Sequence, residues 1–337
     1  MKDKITFCCS TYNTLNYLKW AIKSVRQNAH FKDAPFVVHT ENSDDGTNEW
    51  LHKNVDKYNL EVYIEPHTDP VRGIGGGMNF CAGKVKTEYI LFIQSDFYCA
   101  RNFDIELLKV FGDYDEDTRL LVTSHRVQPD IFRDRDRGGR DGTVFTDYED
   151  FGVLHNDFKE ERFLDWCDEF SKINDFRIRR AEGAGGYLIK KRDWDYIGGN
   201  DPLFAPASWE DMDIFARMHL ENFEFVLTPK SVIWHFAART SWFEGGDNFN
   251  VKSERQIKAE KDNSIKWIKK WGQMPEFDEH EFIKNVKLPN KLKAHDKIMI
   301  LNFVKNAYDG SLYYNCTDSD NDNWTLLIDE IQEWIYE

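Results

Sequence analysis

What most constrains this chain is a repeating alternation in its first hundred residues, short apolar runs separated by amphipathic stretches of helical period. Residues 5–9 (ITFCC) are short and apolar enough for a buried strand, and Leu18, Ala21, Ile22 and Val25 then recur at helical spacing. A second apolar run at 36–40 ends in the turn-rich NSDDGT, followed by helical spacing at Trp50, Leu51, Val55 and Tyr58 and a third strand at 60–64. The glycine-rich segment RGIGGGMNFCAG leads into a helix, and residues 89–93 (YILFI) are the most apolar strand candidate of all. Strands joined through helices of this length are crossover-connected and therefore parallel. Parallel strands need cover on both faces, so the pattern predicts an α/β fold with a mostly parallel central sheet flanked by helices.

The alternation fails between residues 126 and 142, where RVQPDIFRDRDRGGRDG offers almost nothing to bury and predicts a mobile surface loop. Order resumes at Leu188 and Ile189. An amphipathic run starts at 209–211 and continues through Ile214, Phe215 and Met218, and a late strand is predicted at 232–235. Past residue 250 the composition shifts, with 12 Lys plus Arg against 8 acidic residues over 252–297. Ile257, Ile265, Ile268 and Trp271 fit a helix, as do Trp324, Leu327, Ile328, Ile331 and Ile335. The expected organisation is a main α/β domain at 1–245 and a helical C-terminal extension at 246–337, the latter a candidate for ligand binding or oligomerisation.

Composition removes several classes of function. The formal net charge of -15 disfavours nucleic acid as a partner, since such affinity comes from neutralised phosphates. No apolar stretch approaches a spanning helix, and the N-terminus reads as a first strand and not as a secretory leader. KWIKKW mixes aromatics with lysines, a pattern open either to peripheral membrane contact or to simple packing. Cys8, Cys9, Cys81, Cys99, Cys167 and Cys316 lack both CxxC spacing and disulfide density, so the chain is expected to be cytoplasmic with reduced thiols. The Asn-x-Thr sequons at Asn315 and Asn323 are then chance matches. GIGGGM is not GxGxxG, and neither GxxxxGK[ST] nor GxSxG occurs.

Carboxylates and one imidazole sit where the strands of such a sheet end: Glu41 with Asp44 and Asp45, then Asp96, then Glu210 with Asp211, then His235. Ligands of open α/β sheets collect beyond the carboxyl ends of the strands. An Asp there is placed to hold a hard divalent cation through oxygen, and a His from another strand end suits Mn2+. Each also has a plain structural use, as a turn former, an acidic first helical turn or a hydrogen-bonded buried ring.

Taken in order, five segments resemble the inverting, family 2 type of GT-A glycosyltransferase: ITFCCSTYNTLNYLKWAIKSVRQ, VVHTENSDDGTNEW, YILFIQSDFY, WEDMDIFARM and IWHFAARTSW. Order and spacing agree over roughly residues 4 to 240. The resemblance implies a GT-A (nucleotide-diphospho-sugar transferase) fold and a nucleotide-sugar donor, a UDP-sugar because uridine is the commonest nucleoside in the family. It nominates Thr11, Tyr12 and Glu41 for the nucleoside, and Gln94-Ser95-Asp96 in place of Asp-x-Asp. Asp96 keeps the metal-binding position, while Gln94 suits a ribose hydroxyl better than a metal. RAEGAGGYLI, with Gly185 and Gly186, corresponds to the stretch near the donor sugar. Asp211 carries over as general base, Glu210 as its neighbour near the acceptor, and His235 as a metal ligand beside Asp96.

The implied activity is that of a metal-dependent hexosyltransferase using Mn2+ (or Mg2+) and transferring sugar by single displacement to a glycan, lipid-linked sugar or protein, as in polysaccharide biosynthesis. The arginines at 133–140 are candidates for a lid over the diphosphate or for a solvated loop with internal ion pairs. Trp234, Phe236, Trp242 and Phe243 are candidates for stacking on sugar rings or for core packing. Two other readings share these residues. One is a catalytically inactive nucleotide-sugar-binding or interaction protein, which Gln94 favours and the retained Asp96, Asp211 and His235 oppose. The other is a sugar nucleotidyltransferase, which would open on a glycine-rich phosphate loop where this chain has Cys8-Cys9-Ser10-Thr11.

Overall fold

Apolar residues at period two in the first strand decide how the layers stack: Ile5, Phe7 and Cys9 pack into one core cluster and Cys8 into another on the opposite face. The computed structural model describes residues 4–66, 71–130, 143–179, 186–237 and 254–271, with short strands at 276–277 and 283–285. In chain order the elements are β1 (Ile5–Thr11), α1 (Leu15–Asn28), β2 (Phe36–Glu41), α2 (Thr47–Asn54), β3 (Leu60–Glu65), α3 (Gly73–Lys84), β4 (Tyr89–Phe92), β5 (Phe97–Cys99) and α4 (Phe103–Phe111). Then come β6 (Leu120–Pro129), β7 (Thr143–Thr146), α5 (Tyr148–Phe151), α6 (Glu160–Ile173), β8 (Ile178–Arg179), β9 (Tyr187–Lys190) and α7 (Lys191–Ile197). A 3-10 turn (Pro202–Phe204), α8 (Glu210–Leu220), β10 (Glu224–His235), α9 (Glu254–Trp271), β11 (Glu276–Phe277) and β12 (Ile283–Asn285) complete the described chain.

The main sheet runs β3-β2-β1-β4-β9-β6-β10-β5, with β7 beside β6 and β8 beside β10. Its N-terminal half is parallel as expected, β1 pairing with both β2 and β4 in that sense and β2 with β3. From β9 onward the sheet is mixed. β9 inserts antiparallel between β4 and β6, and β10 runs parallel to β6 but antiparallel to β5. On one face lie α1 and α4, which contribute Leu18, Ile22, Val25, Leu107 and Val110 to the core. On the other lie α3, α8 and α9, which contribute Cys81, Ile214, Phe215, Met218, Trp267, Ile268 and Trp271. A third, aromatic cluster gathers Tyr98, Phe151, Phe163, Trp234 and Phe236 under α6. Trp234 and Phe236 are thus core residues.

Two expectations change. The glycine-rich segment does not lead into a helix; it is the helix, α3, despite a cost of about 1 kcal/mol for each interior glycine relative to alanine. The reason is proximity: a Cβ on Gly77 would stand 1.9 Å from Ser10 Oγ and 3.0 Å from His39 Nδ1. One on Gly75 would meet Asn200 Cβ at 2.9 Å and Glu210 Cγ at 3.3 Å. Residues 126–129 are likewise strand, not loop. β6 continues to Pro129 because it has partners on both sides, Arg126 to Pro129 along β7 and Arg126 and Val127 along the end of β10. The arginines at 133–140, Gly185, Trp242, Phe243, Cys316, both sequons and the helix predicted around Trp324 lie outside the described residues. The five described cysteines are free and buried. Among the described residues no helix is long and apolar enough to cross a membrane.

Candidate functional site

Because β1, β2 and β4 are parallel, Thr11, Glu41 and the residues after Phe92 emerge along one edge of the sheet. The turn after β1 is laced to its neighbours. Thr11 Oγ1 lies 2.6 Å from Thr14 Oγ1, which donates to Ser95 Oγ at 3.1 Å. Asn13, at φ 52, donates from its backbone to Ser43 Oγ (3.0 Å) and accepts from the Asp44 amide (2.9 Å). Asp45 accepts from the amides of Leu15 and Thr47, so this carboxylate caps the starts of α1 and α2. Half-buried Tyr12 projects from the same turn.

Glu41 is 5% exposed and points across at the beginning of α3, accepting from the Arg72 amide at 2.6 Å and the Gly73 amide at 3.3 Å. Its carboxylate complements the positive helix end and fixes the glycine helix against the sheet. The loop before α8 closes the same helix from the other side, Pro206 accepting from the Ile74 amide at 2.9 Å. Gly73, at φ 66, leaves no room for a side chain there, since a Cβ would lie 1.9 Å from Pro206 O.

Past β4 the chain turns sharply, the Phe97 amide donating to Gln94 O at 3.1 Å, which leaves Gln94 exposed and Ser95 and Asp96 each 2% exposed. Asp96 O accepts from the Phe236 amide at 3.0 Å, holding it beside the end of β10. There His235 Nε2 stands 3.4 Å from Asp96 Oδ2, while its Nδ1 lies 2.9 Å from Gln128 Oε1. Phe97 packs edge-on to the imidazole at 5.2 Å. One carboxylate oxygen and one imidazole nitrogen at this separation fit adjacent positions around a single Mn2+, with bonds near 2.1 Å. Among the described residues no three His, Cys, Asp or Glu gather for a metal. Of the described residues, Asp96 and His235 are the two that could hold a cation at this end of the sheet.

Across the edge, α8 begins with Glu210, 8% exposed, and Asp211, which is exposed and accepts from the Met212 amide at 2.7 Å. Tyr187 joins the two halves. It stands opposite Phe92 in the β4–β9 ladder, and burial, then Asp211 and Glu210, hold its phenol well above the usual tyrosine range. It therefore remains a hydrogen-bond donor at neutral pH. Gly186 precedes it, packed so that a Cβ would lie 3.0 Å from Phe92 O. The structure thus brings Thr11, Gln94, Ser95, Asp96, His235, Gly186, Glu210 and Asp211 to one side of the sheet and turns the Glu41 carboxylate onto backbone amides. Sequence reasoning missed Gln128 and Tyr187. Gln128 lay in a stretch read as loop, and a single tyrosine opening a short strand carries no motif.

Residues 6–182, just over half of the chain, match the family described as Glycosyl transferase family 2. No curated protein sequence matches the chain. Among solved structures, GalNAc-T7 with UDP, GalNAc and Mn2+ is similar, with a TM-score of 0.54 and 12% identity, over 99% of this chain and 56% of that one. The chain thus spans little more than half the length of that relative, and at this identity the likeness is one of fold. S. aureus TarS 1-349 in complex with UDP-GlcNAc gives a TM-score of 0.48 and 14% identity, over 98% of this chain and 81% of that one, too distant to argue from.

Proposed function

Because the chain belongs to glycosyl transferase family 2, we propose that it transfers a hexose from a nucleotide-diphosphate donor, a UDP-sugar, to an acceptor hydroxyl with inversion at the anomeric carbon. The observation that carries this reading is the approach of His235 Nε2 to Asp96 Oδ2 at 3.4 Å on the strand-end side of the sheet that also bears Glu210 and Asp211. Asp96 and His235 would hold Mn2+, whose positive charge offsets the negative charge that develops on the departing diphosphate.

The remaining roles belong to side chains. Thr11 and Tyr12 line the end of β1 where the nucleoside rests, and exposed Gln94 offers an amide to the ribose. Glu41 acts there through the backbone it orders, by holding the first turn of α3. Asp211, exposed on the first turn of α8, takes the proton of the acceptor hydroxyl as that oxygen attacks. Glu210, packed against Gly75, and the Tyr187 phenol would orient hydroxyls of the sugars. A single displacement needs no enzyme nucleophile, so the carboxylates carry the reaction.

The test is calorimetric titration of UDP, GDP and dTDP, each with and without Mn2+, on the wild type and on Asp96→Ala. UDP binding that requires both Mn2+ and Asp96 is the expected result. Absence of binding by every nucleotide in every condition would refute the transferase reading.

A further inference from the structure

The base proposed above sits at the end of a backbone corner that another helix holds in place. Ser208 and Trp209, consecutive residues just before Glu210, both have φ of 72°, a left-handed conformation that residues with side chains avoid. Trp209 nevertheless starts α8, its carbonyl accepting from the Asp213 amide at 3.0 Å. Such a corner persists only where its surroundings over-determine it.

The surroundings are supplied by α9. Asn263, fully buried, directs Nδ2 at three carbonyls of the loop: Phe204 at 2.7 Å, Ala207 at 2.8 Å and Ser208 at 3.0 Å. Its own Oδ1 accepts from Lys266 Nζ at 2.8 Å, which orients the amide toward the loop. One turn further on, Trp267 packs against Trp209 with ring centroids 5.6 Å apart. Beyond the corner, Lys270 and the Trp271 indole reach Asp213 Oδ1 at 2.6 and 2.9 Å. The helix therefore grips the chain on both sides of Glu210 and Asp211.

We propose that Asn263 is a positioning residue for Asp211: its amide holds the Ser208–Trp209 corner so that α8 presents the carboxylate to the acceptor hydroxyl. The inference rests on Asp211 being the base. It gives α9 a part in the reaction through α8, where the sequence pattern offered acceptor binding, oligomerisation or packing. Misplacing a reacting group by about 1 Å costs on the order of 100-fold in rate, so loss of the clamp should appear in kcat. The nucleotide itself is proposed to rest on the far side of the site, on Thr11, Tyr12, Gln94 and Asp96, so UDP affinity should not change.

The experiment compares the full-length wild type with Asn263→Ala and with Asn263→Ala combined with Ser208→Gly, since glycine adopts the left-handed corner without strain. UDP release from UDP-sugars in Mn2+ gives kcat and KM, and thermal melting and amide exchange are followed in parallel. Asn263→Ala should lower kcat about 100-fold with UDP affinity unchanged, and speed exchange over 209–213. Adding Ser208→Gly should recover much of kcat without recovering the melting temperature. If Asn263→Ala does not fold, Asn263→Ser keeps one donor and carries the same expectations at smaller size. Unchanged kcat beside a lowered melting temperature overturns the proposal, as does a Ser208→Gly variant that rescues nothing. A wild type that turns over no nucleotide-sugar refutes the transferase reading itself, and the exchange pattern over 209–213 separates that failure from the absence of a clamp.

Discussion

Gly77 and Gly83 share α3 but not its surroundings, and that difference sets the sign of an identical substitution. A Cβ at 77 would lie 1.9 Å from Ser10 Oγ and 2.8 Å from Ser10 Cβ, so rotating the serine does not make room and the helix must back away from β1. Gly77→Ala should therefore cost about 2 kcal/mol, more than the helix propensity gained. At 83 nothing lies within 4 Å, so Gly83→Ala should stabilise by roughly 0.5 kcal/mol. Urea denaturation of the two variants checks both signs, and a stabilised Gly77→Ala would undo the close-packing account of this helix. His125 gives a residue-level pH dependence. It is 5% exposed, its ring lies tilted against Phe170 with centroids 4.9 Å apart, and burial, with Arg126 adding, pushes its pKa down to about 4. Between pH 6.5 and 4 the unfolded chain takes up a proton that the folded chain refuses, so stability falls with pH through that window. The loss at pH 5 is about 2 kcal/mol, and burial of His39 acts in the same direction. His125→Phe should flatten the decline between pH 7.5 and pH 5 in urea melts; equal slopes for the two proteins would refute the assignment. No motif announces such residues. Gln128, Tyr187, Asn263 and His125 are single polar or aromatic side chains whose meaning comes from what folds against them.

At the scale of elements, legibility followed apolar continuity. β1, β2 and β4 are short runs buried on both faces, and their starts could be read from hydrophobicity; their ends could not, since β1 continues through Ser10 to Thr11 and β2 through His39 and Thr40 to Glu41. α3 could not, because five glycines signal a loop unless it is known that Ser10, His39 and Asn200 press on them. The outer end of β6 was hidden for a different reason: its polar side chains are spent on pairing, Arg126 with Thr143 Oγ1 and Gln128 with His235. The apolar stripe of α9 was visible, yet its lysines suggested an appendage. In the fold Trp267, Ile268 and Trp271 are at most 4% exposed and belong to the same cluster as Ile90 and Phe92 of β4. Burying three such side chains contributes about 6 kcal/mol, comparable with the whole stability of a typical domain. A chain ended at residue 245 should therefore fail to fold cooperatively, with loss of its far-UV circular dichroism or aggregation on size exclusion. A monomeric 1–245 fragment with a sharp unfolding transition would instead mean that α9 is dispensable to the body.

For the whole molecule, charge opposes the proposed ligand. The chain carries a formal net charge of -15, and Asp96, Glu210 and Asp211 share the side of the sheet where a diphosphate would rest. An anionic donor approaching without a divalent cation meets repulsion from both the local carboxylates and the overall field. Screening relieves that repulsion: the Debye length shrinks from about 30 Å at 0.01 M salt to about 8 Å at 0.15 M. Without Mn2+, the association rate of UDP measured by stopped flow should therefore rise with salt over that range. With Mn2+ on Asp96 and His235 two of those three negative charges are offset, and the same rise should flatten. A rate that falls with salt in the absence of metal would overturn this reading. It would mean that positive charge already guards the diphosphate, and the arginines at 133–140, beyond the described strands, would be the groups to substitute next.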